Sequence, residues 1–353
     1  MIKYLRYLLF PFSILYGIVV FVRNKLYDTG VFKSTGFDIP VICVGNLVVG
    51  GSGKSPVTEY LVRLFPDLKI AILSRGYGRK TKGFILADDQ ATAETIGDEP
   101  MQFYRKFPQV TVAVCEDRVV GATELQKNHD LIILDDAYQH RAIRAGYNIL
   151  LFEFEKLLNP QFLLPAGNLR ESFSGYKRAQ SIMITKAPEE IPARMASECR
   201  NKFEDNWQRE LMFSSLVYQD LVPLISGESL LCSSITPDTT VFLLTGIANP
   251  KPLRQYLAQY SSMIHHYDYP DHYRFTEQDI NALLKDFKNN PSTEKIIITT
   301  EKDAQRLLGG TLKELLLNLP IFYLPVKIGL GAEDKIIFDQ KIIAYVSSHT
   351  RNR

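Results

Sequence analysis

ICVGNLVVGGSGKSP, residues 42–56, is an apolar run that passes into glycines and ends in Gly-Lys-Ser. A short apolar run that stops at a glycine cluster reads as a buried strand, and the segment from Ser55 onward reads as a helix. Strand, glycine-rich turn and helix in that order are the setting of a phosphate-binding loop. The pattern G-x-x-x-x-G-K-[ST] is incomplete, because Val48 stands where its first glycine belongs. That change removes none of the groups that bind. The backbone amides of Gly50, Gly51, Ser52 and Gly53 can turn toward a phosphate, with the positive end of the helix behind them. Lys54 can reach β- and γ-phosphates, and the Ser55 hydroxyl can hold Mg2+.

Outward from this loop, short apolar runs alternate with polar segments of helical period: IPVICVG, KIAILS, VTVAVC, DLIILDD, YNILLFE and QSIMITK. Runs without polar alternation suit strands covered on both faces, so the expected class is α/β with a mostly parallel, phosphate-loop NTPase-like sheet. Residues 188–209 read as a charged helix. LMFSSLVYQDLVPL then alternates like an exposed strand, and a second α/β series follows with TTVFLLTG, EKIIITTEKDAQRL and PIFYLPV. A chain of 353 residues exceeds one ordinary core. The expected division is a helix over residues 1–28, a phosphate-loop core over 29–215 and a smaller lobe over 216–353, with a hinge near 210–235.

A net charge of +2 gives no indication of a nucleic-acid partner, and the four cysteines are widely spaced with no C-x-x-C pair, which suggests neither zinc nor disulfides. The N-terminus departs from this ordinary composition. Leu8–Val22 is apolar between Arg6 and Arg23, shorter than the roughly 20 residues that span a bilayer, and no small-residue cleavage site follows it. The favoured reading is a helix in the membrane interface, with Lys3, Arg6, Arg23 and Lys25 toward lipid phosphates and tyrosines at headgroup depth. A spanning anchor and a buried core helix are the alternatives.

Further motifs carry possible chemistry. DLIILDDAYQH ends a buried strand in Asp135 and Asp136, which suit Mg2+ beside a phosphate loop and otherwise make a polar strand end. LSRGYGRK brings Arg75, Arg79 and Lys80 to a strand's carboxyl end, where α/β crevices bind ligands. IGDEPMQFY offers Asp98, either a plain helix cap or a base for an acceptor hydroxyl. LPAGNLRES holds Arg170 and Glu171 in a turn-rich loop. YPDHYRF sets His272 beside Asp271, where a carboxylate can orient an imidazole.

With LLFPFSILYG, VGNLVVGGSGKSP, LSRGYGRK, GDEP, DDAYQH, LPAGNLRE, LTGIANP, YPDHYRF and TEKDAQRL in this order, the chain resembles the tetraacyldisaccharide 4'-kinase family over nearly its whole length. The resemblance implies two α/β lobes joined by a strand-like hinge and an interfacial N-terminal helix. It implies transfer of the γ-phosphoryl of ATP to the 4'-hydroxyl of a tetraacylated disaccharide 1-phosphate, giving lipid IVA, at the cytoplasmic face of the bacterial inner membrane among its lipids. By the same resemblance Lys54 and Ser55 serve nucleotide and Mg2+, Asp98 with His272 forms a catalytic pair, Asp135, Asp136 and Glu171 line the metal region, and Arg75 and Arg170 lie near a phosphate. Ala137-Tyr138 and Asn168 stand where the family usually shows Gly-Phe and Pro.

Two other classes of function compete. A membrane-associated phosphate-loop NTPase switch would use the same loop but has no need of an acid and an imidazole in separate lobes, and no guanine-specific N-K-x-D is present; ITKAP is the nearest continuation. A lipid-binding module has no use for the loop.

Overall fold

A computed structural model describes residues 6–204, 207, 210–309 and 311–350. The N-terminal segment forms a long helix, α1 (Phe10–Asp28), and the first sheet then opens with β1 (Val41–Asn46). The phosphate loop connects β1 to α2 (Lys54–Leu64). β2 (Ile70–Ser74), the short β3 (Ile85–Leu86), helix α3 (Asp98–Lys106), β4 (Thr111–Val114), β5 (Leu131–Asp135), β6 (Tyr147–Glu153), β7 (Ser181–Thr185) and β8 (Leu211–Tyr218) follow. In a smaller second sheet stand β9 (Val222–Pro223), β10 (Thr240–Thr245), β11 (Met263–Asp268), β12 (Lys295–Thr300) and β13 (Ile321–Leu324), with α4 (Glu301–Leu307) following β12. The chain ends in β14 (Val326–Leu330) and α5 (Ala332–Thr350).

The first sheet has the order β14-β8-β7-β6-β1-β5-β2-β4-β3, parallel except for β3 and β14 at its edges. The second has the order β11-β10-β12-β13-β9, parallel except for β9. β1 is central, between β5 and β6, so the loop after it opens at the carboxyl edge beside the ends of β5 and β2. Every residue of β1, β2 and β5 is buried, as strands covered on both faces require. Under the loop, Val57, Leu61 and Val62 of α2 pack with Ile42, Val44, Phe338 and Ile342.

Phe338 and Ile342 belong to α5, so residues 326–350 depart from the expected lobe of 216–353. β14 pairs antiparallel with β8 in the first sheet, and α5 joins the first core. The chain leaves the first lobe after β8 and re-enters it at β14, with the Gln219 amide donating to the Pro325 carbonyl at 3.0 Å where the two crossings lie side by side. The smaller lobe is therefore an insertion between two paired strands. Of residues 188–209, helix forms over Ala193–Arg200, while residues 205, 206, 208 and 209 lie outside the described residues.

α1 is long and apolar enough to cross a membrane, but it lies along the first lobe. Hydrogen bonds tie it down at both ends and in the middle: Arg6 to the carbonyls of Pro165 and Gly167, Ser13 to Leu163, Tyr16 to Arg170, Asn24 to Glu171, and Arg141 back to the Asn24 carbonyl. Its other face presents Leu8, Phe12, Leu15, Ile18, Val19 and Phe21 to the outside, each more than half exposed. Arg6 and Arg23 do not face outward as expected. Both spend their charge on protein carbonyls, Arg23 on Gln139, which leaves Lys25 exposed. Lys3 lies outside the described residues.

Candidate active site

Gly53 ends the phosphate loop in the left-handed conformation, φ +82°, which a side chain would strain, and α2 begins at the next residue. The Lys54 side chain is buried and lies 3.6 Å from Asp136. Asp136 also has positive φ, +51°, and its carboxylate is gripped by both Arg170 amino groups at 2.8 and 3.1 Å. Burial pushes its carboxyl up, but Lys54 and Arg170 more than offset this and hold it below the usual range.

Asp135, one residue earlier, has the opposite environment. It is 1% exposed, and neither carboxylate oxygen has a hydrogen-bond partner among the described residues. Burial, followed by the Glu99 charge, pushes its carboxyl up to about 8 against the pull of Lys54. The influence of Glu99 means that the start of α3 lies close to the end of β5.

α3 is brought there by glycine packing. Gly97, φ +98°, leaves no room for a Cβ, which would sit 3.0 Å from the Tyr77 carbonyl and against Gly76. The loops RGYG and GDEP therefore touch backbone to backbone, and Asp98 follows at the head of α3. Across the crevice His272, itself at φ +60°, brings Nδ1 within 3.2 Å of Asp98 Oδ2, and its ring packs 5.4 Å from that of Tyr77. The neighbouring Asp271 is 3.9 Å from Nε2, so the carboxylate that engages this imidazole comes from the other lobe.

Two cations of α4 complete the cluster. Arg306 donates from Nε and Nη2 to the same Asp98 oxygen at 2.9 and 2.6 Å, and Lys302 contacts His272 Nε2 at 3.2 Å. Burial pushes the Asp98 carboxyl up, yet the hydrogen bonds from His272 and Arg306 prevail and bring it down to about 2. Lys302 and Arg306 were given no role from the sequence. The signal was a Lys and an Arg four residues apart in EKDAQR, which a helix places on one face.

The other expected residues divide. Ser55 follows Lys54 in the first turn of α2, and among the described residues its hydroxyl has no hydrogen-bond partner and the exposed Arg75 forms no ion pair. Arg79 and Lys80 are taken by Glu116 and Glu94. Glu171 does not stand as an open ligand. Buried and bonded to Arg178, Asn24 and Gln139, it fastens α1 to the core, which a carboxylate with both oxygens engaged does well. The unusual residues are structural too: the Tyr138 hydroxyl donates to the Gly175 carbonyl under the Arg178 guanidinium, and Asn168 receives Arg6.

A parallel sheet with a phosphate loop on its central strand, an acidic strand end beside it and a second-lobe imidazole meeting a first-lobe carboxylate define a phosphate-loop kinase. A family model described as tetraacyldisaccharide-1-P 4'-kinase matches residues 5–345. The tetraacyldisaccharide 4'-kinase of Flavobacterium psychrophilum is 43% identical over 99% of both chains, and that of Phocaeicola vulgatus 41% identical over 98% of this chain and 96% of its own. The crystal structure of LpxK from Aquifex aeolicus in complex with ATP superposes with a TM-score of 0.74 at 30% identity, covering 97% of this chain and 99% of that one. The chain belongs to the tetraacyldisaccharide 4'-kinase family.

Proposed function

We propose that the protein transfers the γ-phosphoryl group of ATP to the 4'-hydroxyl of a tetraacyldisaccharide 1-phosphate, giving lipid IVA, at the cytoplasmic face of the bacterial inner membrane. The observation that carries this reading is Arg170. Its carbonyl accepts from Tyr16 of α1, and its guanidinium grips Asp136 beside Lys54, so the apolar helix and the phosphate site are two hydrogen bonds apart. An acceptor delivered from a lipid surface would arrive where phosphate is held.

Asp135 supports a divalent cation, since a buried carboxylate with both oxygens unpartnered suits a hard ion. Asp135 and Ser55 would hold Mg2+. When bound, Mg2+ neutralises charge on the phosphates. Lys54 adds a point charge toward the β- and γ-phosphates, and Arg170 and Arg75 offer charge to phosphates on the acceptor side. Asp98 has one carboxylate oxygen tied to His272 and Arg306 and the other without a hydrogen bond among the described residues, so the free oxygen orients the acceptor hydroxyl and receives its proton. A carboxylate this acidic stays ionised at physiological pH. The loose transition state of phosphoryl transfer needs an oriented nucleophile more than a strong base.

The test is the purified protein with labelled ATP, with and without tetraacyldisaccharide 1-phosphate in micelles. The kinase reading expects ATP consumption to match phospholipid formed and to stop without lipid. A nucleotide switch would consume ATP with no product. Lys54→Ala should lose at least about 100-fold in kcat/KM, about 2.7 kcal/mol, because charge stabilisation dominates phosphoryl transfer.

A further inference from the structure

The contact between the lobes rests largely on α4 laid against α3. Glu301 meets Lys106, which also pairs with the buried Glu59; Gln305 receives Arg105; Lys302 reaches Glu99 and His272; and Arg306 reaches Asp98. Two residues of α4 differ from the rest because they touch the acid and the imidazole: Arg306 across the lobe contact, and Lys302 within its own lobe.

Arg306 is anchored in its own lobe. Its Nη1 donates to Asp303 Oδ1 at 2.8 Å and to the Gly246 carbonyl at 3.0 Å. Asp303 is fully buried and fixed in turn by the Thr300 hydroxyl and the Gly246 amide. The guanidinium plane is thus set before Asp98 arrives, and its remaining Nε and Nη2 offer a preformed fork. That fork and His272 converge on Oδ2 alone, which turns Oδ1 away from the lobe contact. Lys302 has only donors to offer, so His272 Nε2 accepts from it. Nδ1 then carries the hydrogen that goes to Asp98; Arg306 Nη2, 3.3 Å from Nδ1, is already committed to Asp98 Oδ2 at 2.6 Å, so its contact with the ring does not compete for that hydrogen.

We propose that Lys302 and Arg306 are the positioning pair of this kinase: Lys302 sets the tautomer of His272 within the second lobe, and on lobe closure Arg306 aims the free oxygen of Asp98 at the acceptor hydroxyl while the imidazole so prepared supports it. The proposal rests on the reading of Asp98 as the group that receives the hydroxyl proton. It makes the assembly of that group conditional on lobe closure, since Arg306, Lys302 and His272 all belong to the second lobe and Asp98 to the first.

Arg306→Gln, Arg306→Lys and Lys302→Met are to be compared at saturating lipid and Mg-ATP, with Arg306→Gln also made in an Asp98→Asn protein. Arg306→Gln is expected to lower kcat about 10- to 100-fold with KM for ATP within about twofold, the scale of a mispositioned acid–base group. Arg306→Lys should recover part of the loss, since it restores the charge without the fork. Lys302→Met leaves the Arg306 and Asp303 pair intact, so it reports on the tautomer without disturbing the buried anchor; about a 3- to 10-fold loss in kcat is expected. In the Asp98→Asn protein, Arg306→Gln should change kcat less than twofold, because there is no carboxylate left to aim. An equal loss in both backgrounds, or a raised KM for ATP with kcat unchanged, would overturn the proposal and make Arg306 a structural or nucleotide-binding residue. Full kcat in the Asp98→Asn protein alone would instead overturn the reading of Asp98 on which the proposal depends.

Discussion

Asp135 and Asp136 are adjacent in the chain, yet their surroundings push them in opposite directions. An unfolded aspartate titrates near 3.9. Between about pH 4 and pH 8, folded Asp135 keeps a proton that the unfolded chain has released, so its contribution to stability declines as pH rises through that window. A divalent cation favours the carboxylate and must displace that proton. Nucleotide binding with Mg2+ at pH 7 should therefore release close to one proton, with affinity rising as pH climbs toward 8. Titration calorimetry in buffers of different ionisation enthalpy reads that proton, and Asp135→Asn should abolish it. Equal heats in all buffers for the unaltered protein would remove Asp135 from the cation site.

Asp98 and His272 share one hydrogen bond across the crevice, and residues that act as a unit lose activity non-additively. Asp98→Ala and His272→Ala should each lower kcat strongly with ATP affinity little changed, and the double variant should be scarcely worse than the poorer single one. Rate deficits that simply multiply would mean independent roles. The sequence shows where such residues sit, because they fall in short motifs, with Lys54, Asp135 and Asp98 each at a strand or helix end. The bonding of Glu171 could not be read, because a carboxylate in a turn looks the same whether its oxygens are open or already bonded to Arg178, Asn24 and Gln139.

At the scale of an element, α1 has one face bonded to the lobe and one face of bare hydrocarbon. A helix held along its length by the loops at 139–141 and 163–171 lies beside the core. Leu15→Glu with Ile18→Glu changes only the outer face. At about 1.5 to 3 kcal/mol per large apolar side chain withdrawn from water, the pair should weaken binding to anionic phospholipid vesicles at least about tenfold. ATP affinity and melting should be unchanged. Undiminished co-sedimentation with vesicles would mean that another surface meets the lipid. The sequence made the helix plain and misjudged its arginines, because a cation flanking an apolar run looks the same whether it caps a loop carbonyl or faces a phosphate.

At the scale of the whole molecule, the six parallel strands β1, β2, β4, β5, β6 and β7 could be read from bare apolar runs, but the return of the chain could not. PIFYLPV runs straight from β13 into β14, and no local pattern tells an edge strand which of two sheets it joins. Long-range packing decides it: Ile328, Phe338, Ile342 and Val346 fill the floor beneath α2, and the Tyr60 hydroxyl donates to Asp339 at 2.6 Å.

That return has a consequence for how the protein could be taken apart. Because Gln219 and Pro325 meet side by side, residues 220–324 form a cassette whose two ends a short hairpin turn can join. Cutting the cassette out leaves both β8 and β14 in their sheet and α5 under the loop. The shortened chain should fold, bind nucleotide and attach to vesicles. It should transfer no phosphoryl group, having lost His272, Lys302 and Arg306 together. Circular dichroism, ATP titration and the lipid assay on this one protein would separate holding a phosphate from passing it on; a shortened chain that folds but binds no nucleotide would show that the cassette also builds the nucleotide site.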